Sequence, residues 1–454
     1  MLHAKVTDII QAVDGKLICG DIGKYGSHLI TSVCTDSRQM TPASVFVPII
    51  GEKVDAHRFI PSVLEGPGVL SLSTRSMEEI GYTGDRLIVQ VDDPVAAIQK
   101  IGLLARSGIS VPIVGVTGSV GKTTTRQMIA AALAAGGPVF ATKGNQNSQI
   151  GVPITLCEFD DTAYIGVMEL GMSEPGEMSR IARLVQPDLA VFTNIGIAHI
   201  QQLGSRENIL REKMHITDAM QPGHTIILNY DDELLRQVQA PAGLKIYTYG
   251  LNPRADAYAE DIDMRNGCPQ FTANIFGQKL RISLNLYGRH QISNALAAMS
   301  VAHYYGINLE KAAEALTDFK GFPHRQQFID NGRFLIIDDS YNASPDSMRA
   351  GLDILRDIRC RGRRIAVLAD MKELGEESRK AHEEIGEYLR KEKCADLVVT
   401  LGQDSALIAG DRHFTDRGEM TAFLKDTIRE GDAVYLKGSN SMNLAEVADA
   451  LTGC

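Results

Sequence analysis

The chain has 454 residues, 44% of them hydrophobic and 22% charged, and carries a formal net charge of −10 at pH 7. Its length exceeds what one hydrophobic core usually organises, so two or three domains are expected. The acidic balance argues against a nucleic-acid partner, whose phosphates demand basic patches, and points to a small-molecule substrate held by local devices such as helix N-termini and metal ions.

In chain order, the N-terminal MLHAKVTDIIQAV is broken by Lys5 and Asp8, unlike a signal peptide. No later run reaches the ~18 apolar residues of a membrane span. Seven scattered cysteines without a C-x-x-C pair fit the reduced thiols of a cytoplasmic protein. Residues 1–90 hold short β-rich pieces such as SVFVPII and RLIVQV between Gly and Pro. From VPIVGVTGSVGKTTT onward, apolar strands (YIGVMEL, LAVFTNI, HTIILNY) alternate with amphipathic helices, the pattern of a buried parallel sheet. After GFPHRQQF the alternation restarts with RFLIIDDS, RRIAVLAD, ADLVVTLG and AVYLKGSN. The expectation is an α/β protein of three domains: a small mixed α/β domain over 1–90, a central ATPase-like parallel-sheet domain over 91–322, and a Rossmann-like domain over 323–454.

GVTGSVGKTTT lies between a strand and a helix, the setting of a phosphate-cradling loop. Gly118 and Gly121 let the backbone turn its N–H groups inward, Lys122 reaches phosphates, and the Thr123 hydroxyl suits Mg²⁺. Val116 stands where the strict G-x-x-x-x-G-K pattern has its first glycine. Further along, Glu169 ends an apolar strand, and His199 follows the next one, at the edge where open α/β sheets collect ligands. In SRENILREKMHITDAM, helical spacing puts Lys213 on one stripe with Ile209, Ile216 and Met220. Such a lysine either snorkels or is desolvated, its neutral amine then open to carbamylation by CO₂.

Together these segments resemble the Mur ligase family. The resemblance covers nearly the whole chain: TDSR, FVPIIGEKVDAHRFI, TGSVGKTTT, GNQNSQIGVPITL, ELGMSEPGEMSRI, TNIGIAHIQQLGS, YGRHQISNALAA, FPHRQQ, DDSYNASPDSM, VLADMKELG and KGSNSM. It implies an ATP-dependent amide ligase of peptidoglycan precursor synthesis, joining D-alanyl-D-alanine to UDP-N-acetylmuramoyl-tripeptide through an acyl phosphate, as a cytoplasmic monomer. Thr117, Gly118, Ser119, Val120, Gly121, Lys122, Thr123, Thr124, Asn294, Arg325 and Asp339 would hold ATP. Thr123, Glu169, His199 and a carbamylated Lys213 would serve Mg²⁺, and Lys122, Glu169, His199, Lys213 and Arg325 would carry catalysis. Ser37 and Arg38 would contact the UDP-sugar, and Asn145, Asn147, Tyr341, Asn342 and Lys437 the peptide substrates. Two positions depart from the family pattern: Asn440 replaces the Arg of K-G-S-R-x-M, and Ala56 the Gly of D-G-H.

Overall fold

The computed structural model describes residues 2–51, 54–265 and 267–453; Glu52 and Lys53 of the FVPIIGEKVDAHRFI segment lie outside them. Three larger sheets succeed one another along the chain, with five, nine and six strands, beside a two-stranded pair. In the first, Lys16–Cys19 pairs antiparallel with Leu87–Gln90, and the sheet continues parallel through Leu70–Ser73, Ser44–Phe46 and Ser32–Cys34. The strands that flank its centre are apolar on both faces (Leu87, Ile88 and Val89 are fully buried), so helices cover both sides.

The nine-stranded sheet is parallel through Val139–Ala141, Ile165–Glu169, Ile113–Thr117, Leu189–Phe192, Thr225–Asn229, Lys245–Gly250 and Ala257–Arg265. Two antiparallel strands, Cys268–Ile275 and Gln278–Ser283, extend its edge. This meander breaks the strand–helix alternation read from the sequence. Its residues alternate instead: Cys268–Ile275 buries every second side chain, because one face packs a helix and the other meets solvent. The covering helix, Gln291–Tyr304, is buried nearly all round and also packs on Lys122–Leu133. It therefore delivers its N-terminal turn to the phosphate loop.

The third sheet runs Gln327–Asp330, Leu335–Asp338, Ala433–Lys437, Arg364–Ala369, Leu397–Leu401 and Arg412–Phe414, parallel except for its first pair. Helices on both faces seal two separate apolar cores, the doubly wound arrangement. In both large sheets the strands' C-terminal edges turn toward a shared cleft of about 770 Å³.

Candidate functional site

The phosphate loop grows from the strand Ile113–Thr117 into the helix Lys122–Leu133. Gly118 and Gly121 have φ of 147° and 82°. A side chain at Gly118 would also collide with the Thr193 hydroxyl, 1.9 Å from the position of its Cβ. The helix has Gly121 as its N-cap and no capping side chain, which leaves first-turn N–H groups for an anion. Not every loop N–H is free, contrary to a simple cradle. Ser119 N–H donates to the Asn194 carbonyl (2.9 Å) and Val120 N–H to Asn194 Oδ1 (2.8 Å). Asn194 thus braces the loop from the neighbouring strand end.

Lys122 folds back to donate to the Gly118 (2.8 Å) and Ser119 (3.2 Å) carbonyls, and desolvation lowers its pKa. Ser119, Val120, Gly121, Lys122, Thr123 and Thr124 line the cleft, whereas Thr117 is buried behind it. Asn294, on the buried helix, accepts from Thr125 Oγ1 at 3.0 Å and lies against Gly121.

Glu169 sits beside the loop because its strand pairs in register with Val116. It is 2% exposed, and its carboxylate accepts from Thr123 Oγ1 and Asn147 Nδ2, both at 2.8 Å. Arg126 Nε stands 3.5 Å from the same carboxylate. This arginine, fully buried, carries no signal in the sequence, where it lies one helical turn beyond Lys122 among Thr123, Thr124, Thr125 and Gln127. Its Nε has no hydrogen-bond partner, and desolvation depresses its pKa.

Lys213 is 1% exposed, and its ammonium has no hydrogen bond or ion pair among the described residues. Burial drives its pKa well below the usual value, and the nearby charge of Lys122 lowers it further. The single long helix read from the sequence is corrected here: the α-helix Arg206–Met214 ends just after Lys213, and Ile216 and Met220 belong to and follow a 3₁₀ turn. The apolar environment survives because that turn keeps Ile216 fully buried. Glu212, also overlooked, caps the helix Glu177–Val185 through the Gly176 and Met178 N–H groups (2.9 and 3.0 Å).

His199, at φ 63°, initiates the short helix Ile200–Leu203, and its Nδ1 lies 2.8 Å from Glu373 of the third-sheet region. Among the described residues no three His, Cys, Asp or Glu side chains converge as a preformed metal cage. Thr123 and Glu169 are the metal-ligating candidates that the structure brings into direct contact.

The opposite wall carries Arg325, stacked 3.9 Å over the Tyr341 ring, with Asn342, Asp339 and Lys437. Lys437 is spoken for: Nζ donates to Asp339 Oδ2 (2.6 Å) and to the Asn342 carbonyl (3.0 Å), and it is 2% exposed. Asp339 also accepts from Tyr435 (3.1 Å). Asn145 and Asn147 line the cleft from the central side. Ser37 and Arg38 do not line it. They form a 3₁₀ turn in the first region, where the exposed Arg38 guanidinium grips Asp36 (2.7 Å) and holds its carboxyl down to about 2. At Ala56 a glycine is unnecessary, since the residue starts a 3₁₀ turn capped by Asp55.

A glycine-rich strand–loop–helix facing a second doubly wound sheet across one cleft is the architecture of a nucleotide-binding α/β enzyme. The family model for the Mur ligase middle domain matches residues 116–302, and that for the Mur ligase glutamate ligase domain matches 324–440. The chain belongs to the Mur ligase family. It is 33% identical to the UDP-N-acetylmuramoyl-tripeptide–D-alanyl-D-alanine ligase of Bacillus subtilis and 31% identical to that of Escherichia coli, covering 99% of each pair. Among solved structures it is similar to MurF from Acinetobacter baumannii (TM-score 0.89, 26% identity, 100% of this chain and 99% of that one). It is also similar to the MurF ligase of Thermotoga maritima in complex with ADP (TM-score 0.81, 27%, 93% and 97%). Among the described residues no helix is long and apolar enough to cross a membrane.

Proposed function

We propose that this protein joins D-alanyl-D-alanine to UDP-N-acetylmuramoyl-tripeptide at the expense of ATP, as a cytoplasmic, monomeric enzyme of peptidoglycan precursor synthesis. The observation that carries this is the single cleft lined on one side by the phosphate loop and on the other by the third sheet's strand ends. The near full-length likeness to ligases of that name supports it.

In this reading residues 1–90 bind the UDP moiety through Ser37 and Arg38. Residues 91–322 bind ATP, and 323–454 receive the dipeptide. The tripeptide's terminal carboxylate oxygen attacks the γ-phosphorus, the bond to ADP breaks, and an acyl phosphate forms. The dipeptide's free amine then attacks the acyl carbon, loses a proton, and inorganic phosphate leaves from the tetrahedral intermediate. The chain's contribution is positioning and charge: Lys122 exchanges its two loop carbonyls for phosphate oxygens, and the first-turn N–H groups receive the rest. Asn294 and Arg325 flank the nucleotide, with Asp339 near its ribose, and Asn145, Asn147, Tyr341 and Asn342 border the acyl acceptor region.

Thr123, Glu169, His199 and Lys213 would hold Mg²⁺, which when bound neutralises developing phosphate charge. Lys213 fits the role only after carbamylation. Its desolvated neutral amine bonds to the carbon of CO₂ and releases one proton, turning a buried uncharged group into an anionic oxygen donor. The decisive assay measures ADP release. It should require both a UDP-muramoyl-tripeptide and D-alanyl-D-alanine; release at the same rate without the dipeptide would refute the proposal.

A further inference from the structure

The incoming dipeptide carries a carboxylate at its far end, and a cleft in an acidic protein needs a cation to receive it. Among the described residues four Lys or Arg side chains line the cleft: Lys122, Arg325, Lys372 and Lys437. Lys122 rests on phosphate-loop carbonyls, and Arg325, its face stacked on Tyr341, is assigned to the nucleotide. Lys437, buried between Asp339 and the Asn342 carbonyl, has no free donor direction into the cleft. Asn440, on the same wall, is neutral and donates its amide to the Tyr341 carbonyl (3.3 Å).

Lys372 differs from all of these. Its side chain is 45% exposed. Its backbone N–H donates to Ser439 Oγ (2.8 Å), which fixes it beside the loop that bears Asn440. Its ammonium bonds Asp370 Oδ2 at 2.8 Å. Asp370, however, also accepts the Gln403 and Ser405 N–H groups (3.1 and 2.8 Å), so it keeps two backbone donors if the lysine swings away. The next residue, Glu373, is already engaged with His199 and does not compete.

We propose that Lys372 binds the carboxylate of the incoming dipeptide, as a specificity-determining residue of the third-sheet wall. This inference rests on the ligase reading above. A charge-assisted hydrogen bond of this kind is worth roughly 10- to 100-fold in affinity.

The test compares wild type, Lys372→Met, Lys372→Arg and Lys372→Met/Asn440→Arg with D-alanyl-D-alanine and with its C-terminal amide. Lys372→Met should raise the dipeptide KM about 10- to 100-fold, with kcat and the KM for ATP changed less than about twofold. It should also lose the wild type's preference for the acid over the amide. Lys372→Arg should keep that preference, and Asn440→Arg should restore it to the Met variant by returning a cation to the same wall. A Lys372→Met enzyme with an unchanged dipeptide KM and an intact preference for the acid overturns the assignment and leaves the ligase reading standing. A wild type that ignores the dipeptide altogether overturns that reading, and this proposal with it.

Discussion

The two walls of the cleft handle buried charge in opposite ways. On and behind the central wall, three basic side chains are desolvated and under-partnered among the described residues: Lys122, which lines the cleft, leans on two carbonyls, the buried Arg126 has an orphaned Nε, and the buried Lys213 has no hydrogen bond. Burial lowers the pKa of each. On the third-sheet wall, the buried charges are paired, and the half-exposed Lys372 is assigned to the incoming substrate. Lys437 is paired with Asp339 and a carbonyl, and Asp339 also accepts from Tyr435. A buried charge is costly unless paired, so a wall that leaves cations wanting anions is built to receive them. A wall that pairs its charges internally uses them to fix its own shape. Substitutions of these buried charges should therefore fail differently, in catalysis beside the phosphate loop and in stability beside the third sheet.

The largest effect belongs to Lys122. Replacing it by Ala should lower turnover by at least ~10³-fold while the folded state is retained, because it removes the main phosphate-facing charge. Near-normal ADP production by a folded variant would remove this wall's claim to the nucleotide.

Lys213 comes next. Lys213→Ala should cost about 10²–10³-fold in turnover, and Lys213→Arg should fail similarly, since a guanidinium stays charged and forms no carbamate. High concentrations of acetate should partly restore the Ala variant by supplying an anion to the vacated space. Normal turnover by Lys213→Arg would reduce the lysine to a snorkelling cation, and incorporation of labelled CO₂ gives a readout independent of activity.

Lys437 sharpens the contrast from the other side. Lys437→Met leaves Asp339 buried without its cation, and stability should fall by about 3–5 kcal/mol in denaturant titration. Adding Asp339→Leu should recover part of that loss. An unchanged midpoint for the single variant would contradict the view that this wall's charges are structural.

The smallest effect is that of Arg38→Ala. Arg38 is 85% exposed and does not line the cleft, so ATP affinity should be unchanged while UDP-substrate affinity falls by about tenfold. Calorimetry showing the reverse would reassign the first region.

Much of this was legible in the sequence because it is local. The strand–loop–helix of GVTGSVGKTTT needs only glycines at Gly118 and Gly121 and a helix start, so its residues announce it. The parallel sheets announce themselves through continuous apolar runs such as LAVF. Lys213 was visible as a charge on an apolar stripe, although the α-helix proved shorter than the stripe because a 3₁₀ turn can bury Ile216 equally well. The meander 257–283 escaped because period-two alternation over a half-exposed edge is a weaker signal than a buried run.

Pairings between distant segments could not be read from spacing at all. That Asn194 takes two phosphate-loop N–H groups, that Glu373 meets His199 and that Lys437 is neutralised by Asp339 are facts of sheet order and domain apposition. The sequence by itself determined which chemical groups exist and which local loops hold them. Tertiary structure alone decided which of those charges are paired, because pairing depends on distances between strand ends that lie scores of residues apart along the chain.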